Sequence, residues 1–400
     1  MIPKKNPFPK TTCGVISPQE WGLAAARPGE SIVPGLGESG IDLEKRMRNC
    51  VDLWLPRQFD EKEGAFHGFY RAPEHFFEPP QTVNLIAPWL SLAAYDRWQD
   101  GRYLLQAGSA VDWFYQRFVV SHPMSVVIGG VRERLPDGEL WTKFAAEYVL
   151  LAIGMSQRTG QDRYLAQALQ SAGFLIQSAR HGFAPRYNER ENRWLEKGWQ
   201  SFGRAVEAFL CLGQATGEER WLSAALQWGE YGLMLLAKNG GLYLIDDDYF
   251  NTDIAADELR AFVFLYEWTG DPRWLNAAER SAGWLIAHQR DDGAWPLTID
   301  RDGNTVVETV GPGDVPNIAV SFLRLHAHTG DKSILDAALG AFRYSLSTQI
   351  LPGSGHPYSE DPNVQWGFWS WDPYYDYTVS GDQATHHVRG LMFALDYLLQ

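Results

Sequence analysis

The sequence predicts an all-α chain, six helical hairpins closed into an (α/α)6 toroid. Three observations carry this expectation. One punctuation mark recurs: Thr159-Gly160-Gln161-Asp162, Thr216-Gly217-Glu218-Glu219, Thr269-Gly270-Asp271 and Thr329-Gly330-Asp331, with Asp100-Gly101 as a trimmed copy. Each mark separates two helical patterns of different character. Finally, the first and last helical patterns each lack a partner, and each supplies what the other lacks. Self-similarity at a fixed period is the signature of a repeat architecture.

After each mark stands an amphipathic pattern anchored on Leu104, Leu165, Leu222, Leu275 or Leu335, spaced by 53 to 61 residues. Three residues on comes an alanine (Ala107, Ala168, Ala225, Ala278, Ala338) and nine residues on an aromatic (Trp113, Phe174, Tyr231, Trp284, Tyr344). Offsets of three and nine fall close together on one helical face, as in a helix docked along one stripe. These are the outer helices. Before the marks lie more apolar patterns, 83–98, 141–158, 198–215, 252–268 and 317–328, which read as inner helices. The terminal segment 381–400 is a sixth inner pattern with nothing after it, and 41–55 is an outer pattern with nothing before it. Pairing the two closes the ring and covers the apolar faces that a bare terminal repeat would expose. Residues 39–400 therefore read as one domain, preceded by an irregular arm over 1–38. A linear helical solenoid is the structural alternative.

Composition narrows the function. With 400 residues and 45% hydrophobic content the chain has ample material for a core. A formal charge of −14 argues against a nucleic-acid partner. The three cysteines, Cys13, Cys50 and Cys211, have no metal-ligand spacing and are odd in number, which fits a reducing compartment. No signal-peptide pattern and no membrane-length apolar run is seen, so the expectation is a cytoplasmic protein without a membrane partner. The 17 Trp and 17 Tyr exceed what a core of this size requires. Their flat apolar faces and polar edges suit sugar rings, although about half can be assigned to packing the repeats. There is no phosphate-binding glycine loop, no G-x-S-x-G elbow and no thiol nucleophile with a clear partner, and no cofactor or metal is expected.

The turns from inner to outer helix are short. The return connections, 56–82, 120–141, 179–197, 238–251, 289–316 and 347–380, are long, and several open on a Gly-aromatic step. Long loops on one rim of a rigid scaffold are where binding and catalysis concentrate. The inner helices start from that rim and aim their positive ends at it. Four clusters fall there. Segment 64–84 holds His67, His75 and Asn84. Segment 184–204 holds Arg186, Tyr187, Trp199, Gln200 and Arg204. Segment 242–258 holds Asp246, Asp247, Asp248, Asp253 and Glu258. Segment 364–390 holds Trp366, Trp369, Trp371, Tyr374, Tyr375, Tyr377, Asp382, His386, His387 and Arg389. Helix capping is an equal reading for Asp253 and Asp382, and a solvated run for the three consecutive Asp.

Two stretches resemble known families. "GWQSFGRAVEAFLCLGQATGEERW" followed by "LYLIDDDYFNTDIAADELRAF" is similar to hairpins of the unsaturated glucuronyl and rhamnogalacturonyl hydrolases, with Gly198-Trp199-Gln200 and Thr252-Asp253 as the matching positions. In that family an acid/base Asp stands near the start of an earlier inner helix; the corresponding starts here, "QTVNLIAPW" and "LWTKFAAEYV", carry none. "THHVRGLMFALDYLL" resembles the C-terminal inner helix of the N-acylglucosamine and cellobiose 2-epimerase family, whose (α/α)6 barrel uses a pair of His for proton transfer; His386 or His387 would be one of them. By fold alone, toroidal polysaccharide lyases would employ Asn84, Tyr377, His386 and Arg389. "RSAGWLIAHQRDDGAW" is similar to the QW repeat of squalene-type cyclases, but "LIDDDYF" is not their D-x-D-D acid motif.

The expectation is a carbohydrate-active enzyme that cleaves glycosidic bonds of uronic-acid-containing oligosaccharides. A polysaccharide lyase, a sugar 2-epimerase and a non-catalytic glycan-binding protein are the alternatives. In the hydrolase reading Asp247, Asp248 or Asp253 supplies the acid/base. Trp366, Trp369 and Trp371, with Tyr374 and Tyr375, stack the sugar, and Arg186 or Arg389 grips a carboxylate. His67, His75, Asn84, Tyr187, Trp199, Gln200 and Asp382 complete the binding surface. In the lyase reading His386 or Tyr377 is the base. The oligomeric state is open.

Overall fold

The computed structural model describes residues 17–199, 201–243, 249–373 and 376–400, with Asp253 described only by its place in a helix. Among the described residues twelve α-helices alternate in six hairpins. The inner helices are α2 (Ala87–Trp98), α4 (Thr142–Thr159), α6 (Phe202–Thr216), α8 (Thr252–Thr269), α10 (Asp314–Thr329) and α12 (Gly381–Leu398). The outer helices are α1 (Gly40–Asn49), α3 (Gly101–Phe118), α5 (Asp162–Arg180), α7 (Glu219–Leu235), α9 (Pro272–Ala287) and α11 (Lys332–Ser347). Each inner helix packs on the next, and α12 touches α10, α2 and α1, so the chain of inner contacts returns to its start.

The recurring mark has a physical basis in the structure. Thr159, Thr216, Thr269 and Thr329 each donate the hydroxyl to the carbonyl four residues back. The glycine that follows takes the left-handed conformation, φ between 64° and 71°, which a Cβ would strain. The Asp then caps the outer helix, Asp271 accepting from the amide of Arg273 and Asp331 from that of Ser333. Helix end, reversal and helix start thus fit in three residues. The anchor alanines are all fully buried, while the leucines three residues earlier are only partly buried. The stripe of each outer helix therefore centres on the alanine, where the inner helix comes closest.

Boundaries shift where proline and glycine chemistry intervenes. Helix α2 starts at Ala87 because Thr82–Leu85 winds as a 3-10 turn and Pro88 occupies the first helical turn. Helix α10 starts at Asp314, ahead of the apolar pattern, with Pro316 in its first turn. Helix α1 passes at Cys50–Trp54 into a π-helical turn.

The long connections form small antiparallel sheets on the rim from which the inner helices start. Leu140–Trp141 pairs with Arg186–Asn188, which pairs with Arg193–Leu195. Tyr249–Asn251 pairs with Thr298–Asp300, and Thr378–Val379 with Tyr70–Arg71. Helices α4, α8 and α12 follow directly from strands of these sheets, which fixes the position of their first turns.

The opposite end is filled by the arm. Trp21 is buried, its ring 4.3 Å from that of Phe393, with the Arg324 guanidinium 4.5 Å from its ring. Glu20 pairs with Arg158 at 2.8 Å, and the amide of Ala26 donates to Asp396, which also pairs with Arg97 at 3.0 Å. Phe393, Arg324, Arg158, Arg97 and Asp396 all sit toward the C-terminal ends of inner helices, so this arm packs across that end of the molecule. Among the described residues no helix is long and apolar enough to cross a membrane. Trp21→Ala is expected to lose roughly 3–5 kcal/mol in urea unfolding, as for other buried Trp truncations; a loss below about 1 kcal/mol would show that the arm lies outside the cooperative core.

Candidate active site

Side chains from the first turns of the inner helices enclose a cavity of about 200 Å³. Lys143 and Glu147 come from α4, Arg204 from α6, Asp257 from α8, Asn317 from α10, and Asp382 with His386 from α12; Ile86 and Trp199 also line it. Helical spacing explains the convergence. Lys143 and Glu147, like Asp382 and His386, are four apart; Arg204 and Glu207, like Asp257 and Arg260, are three apart. Each pair therefore shares one helical face.

Beneath this cavity lies a buried ion network. Arg204 Nε is 2.6 Å from Glu147 Oε1 and 2.9 Å from Asp257 Oδ2, and its Nη1 donates to Glu207 at 2.9 Å. Arg260 reaches the same Glu207 at 2.7 Å and the same Asp257 at 2.8 Å. It also donates to Ser321 Oγ at 3.0 Å and Asn317 Oδ1 at 3.3 Å on α10. All five charged residues are at most 2% exposed. With Lys143, which also pulls on Glu147 and Asp257, three cations face three carboxylates in a place that tolerates charge poorly. Burial pushes the Glu147 carboxyl up to about 7 despite the pull of Arg204. Burial also pushes on Asp257, but Arg204 and Arg260 together outweigh it and hold that carboxyl below its ordinary value. Glu147 Oε2 has no hydrogen-bond partner among the described residues.

His386 lines the cavity, its Nε2 3.3 Å from Asp382 Oδ1 and its Nδ1 without a partner among the described residues. The same imidazole borders a small chamber deeper in the toroid with Arg389, Arg260 and Trp21. Arg389 and Arg204 both lie over the indole of Trp89, at 4.7 and 5.1 Å. Burial, and then the proximity of Arg204 and Arg260, bring the Arg389 guanidinium down to about 9.

Of the residues picked from sequence, the cavity gathers Trp199, Arg204, Asp382 and His386, and Arg389 stands just below; Glu258 is fully buried and accepts from the amide of Gly203 at 2.6 Å. His387 does not join them: it is fully buried, bonded through Nδ1 to Ser345 at 2.7 Å and stacked on Phe368 at 4.0 Å. Burial holds it well below the usual imidazole range, so it is a core residue. Asn84 is likewise a correction. It is buried, and its amide is spent on both backbone groups of Phe66 and on the carbonyl of Gln81. Trp369 is 1% exposed and offers no stacking face to a ligand. Tyr187 is buried with its hydroxyl bonded to Asn192.

The remaining candidates stand outside the cavity. Trp366 and Tyr377 are partly buried, Tyr377 packing on Trp369 and Tyr358, and Trp371 is partly exposed. His67 rests its ring on Phe77, and His75 is exposed beside Tyr70 and Asp361. Arg186 pairs with Glu139 at 2.6 Å on an adjoining groove. Asp247, Asp248, Gln200, Tyr374 and Tyr375 fall outside the described residues, as does the side chain of Asp253.

Reading by loop clusters passed over Lys143, Glu147, Asp257 and Asn317, because they lie inside helices. A signal was present: in "WTKFAAEYVLLAIGM", Lys143 and Glu147 are charges in a segment otherwise apolar all round, and such a helix is buried on every face.

No protein family matches the chain, and no curated protein matches its sequence. Solved structures do match. Cellobiose 2-epimerase from Bacillus thermoamylovorans B4167 aligns with a TM-score of 0.71 and 14% identity, over 90% of this chain and 99% of that one. A D-mannose isomerase aligns with a TM-score of 0.69 and 14% identity, over 89% and 97%. Unsaturated glucuronyl hydrolase from Bacillus sp. GL1 aligns with a TM-score of 0.59 and 14% identity, over 87% and 93%. At these identities the likeness is one of fold, the (α/α)6 toroid.

Arg204→Met removes the cation shared by three buried carboxylates. The expected cost is roughly 3–5 kcal/mol. The sign with pH follows from Glu147. A carboxyl raised in the folded state favours folding below its unfolded value and loses that contribution as pH rises through the folded one. Without Arg204 the carboxylates rise further, so urea unfolding should show a larger loss at pH 8 than at pH 5. An equal loss at both would mean that the guanidinium acts by packing alone.

Proposed function

We propose that this chain is a carbohydrate-active enzyme that holds one sugar ring in the cavity and exchanges protons with it through Glu147 and His386. The observation that carries the reading is the pairing itself: a carboxyl brought to about 7 and an imidazole line the same enclosed space. General acid–base catalysis is most effective when the group's pKa lies near the working pH, and perturbed groups converging in a cleft are the usual mark of a reaction centre. The cavity is smaller than the ~300–1,000 Å³ common for larger ligands, which suits a single ring. Trp199 and Ile86 in its lining supply apolar surface for a sugar face.

The chemistry best served is proton transfer at the carbon next to a sugar carbonyl, that is, epimerisation or isomerisation. His386 withdraws the proton while protonated Glu147 donates to the carbonyl oxygen, giving an enediol; His386 then returns its proton to the neighbouring carbon, for isomerisation, or the carbon takes one on its other face, for epimerisation, as Glu147 recovers a hydroxyl proton. Arg204 lines the same cavity and opposes the charge that develops as the enolate forms. The fold neighbours named for epimerase and isomerase activities support this reading. A second reading is hydrolysis of a glycosidic bond with Glu147 as the general acid, favoured by its being protonated near neutrality.

Incubation in D2O with aldoses, reducing disaccharides and lyase-cut uronides, followed by NMR, separates the two. Deuterium entering next to the carbonyl with a change of configuration supports epimerisation or isomerisation; release of a free ring without that exchange supports hydrolysis. The absence of both from the whole panel would remove the enzyme reading. For the productive substrate, kcat/KM is expected to fall as pH rises through about 7, where Glu147 gives up its proton. Glu147→Gln should abolish that limb and, like His386→Asn, lower kcat by roughly 10²–10⁴, whereas His387→Phe should change stability more than kcat.

A further inference from the structure

Beside the cavity runs an open groove of about 940 Å³, between the loop 132–139 and the strand Arg186–Asn188. Its inner end is Trp141. The indole of Trp141 lies 5.9 Å from that of Trp199, which borders the cavity. One pair of touching aromatic rings thus forms the border between groove and cavity. Five arginines line the groove, and four of them are ion-paired to carboxylates. The fifth, Arg134, is exposed and its side chain makes no hydrogen bond or ion pair with the described residues. Glu133 is also unpaired, so with Glu63, Glu189, Glu139 and Asp137, the partners of the other four arginines, five carboxylates match five arginines and the groove is locally neutral on a chain of net charge −14.

We propose that this groove is the extended part of the substrate site: it seats the rings of an oligosaccharide beyond the one held in the cavity, with Arg134 recognising a carboxylate on one of them. The inference rests on the cavity being the reaction centre. The chemistry is that of saccharide recognition throughout. Trp141 offers apolar surface beside the ring leaving the cavity. The Arg–carboxylate pairs present fixed, planar donors and acceptors to hydroxyl groups. A free guanidinium takes a carboxylate bidentately, and a locally neutral groove on an acidic protein spares an anionic ligand the repulsion it meets elsewhere on the surface. The groove is large enough for several rings, which the cavity is not.

The test is calorimetric binding of glucuronate- and galacturonate-containing oligosaccharides of one to four rings, each with its methyl-esterified counterpart, to the full chain and to its R134A and R134E variants. Arg134 is exposed, so both variants should melt as the parent does. Affinity is expected to rise with length beyond one ring in at least one acidic series. R134A should lower the affinity of the long acidic ligand roughly tenfold and R134E more, with little change for the methyl ester. If single rings bind or react while length adds nothing, or if both variants lose the ester and the acid equally, the groove proposal falls and the cavity reading stands. If no saccharide of any length binds or reacts, both fall.

Discussion

The structure depends on one interaction, the pair of guanidiniums Arg204 and Arg260 held between Glu147, Glu207 and Asp257. It joins α4, α6 and α8 directly and reaches α10 through Ser321 and Asn317. Apolar side chains on neighbouring helices can slide by a turn at modest cost, because the hydrophobic effect is non-directional. Buried charges cannot, since each displaced partner would strand an ion in a medium that does not solvate it. The network therefore fixes the register of consecutive inner helices, and with it the positions of the side chains that enclose the cavity. The same burial brings the Glu147 carboxyl up to about 7, so registration and an unusual protonation equilibrium come from one set of residues.

The two ends of the toroid divide the work. At one end the Thr-Gly-Asp turns complete each reversal within three residues, leaving little chain with which to build a site. There the arm settles Trp21 among the C-terminal halves of α8, α10 and α12 and is tied by Glu20 and Asp396. At the other end, small antiparallel sheets lead into α4, α8 and α12 and place their first turns around a common space.

Beside it, Trp141 and Trp199 link an enclosed, charge-lined space to an open groove rich in Arg–carboxylate pairs. An enclosed space strengthens each electrostatic contact within it, which suits proton transfer. An open, hydrated groove suits reversible recognition of a long polar ligand. The molecule offers both environments side by side.

The repeat, the helix pairs and the rim of long connections were legible in the sequence because each rests on local rules: the left-handed glycine, the capping Asp, the period of apolar residues. His386, Asp382 and Trp199 could be found because they stand at or next to helix starts on that rim. The sequence alone also determined that α4 is apolar all round and so must be buried. What only the tertiary structure decided is which charges meet. Glu147, Arg204 and Asp257 lie 53 or more residues apart along the chain and share one contact point only because three helices pack side by side. Likewise, adjacent histidines point to opposite fates, His386 to the cavity and His387 to Phe368 and Ser345, because one step along a helix turns the side chain by about 100°. Sequence fixes what each helix can offer; the packing angle between helices selects which face is offered to the cavity and which to the core.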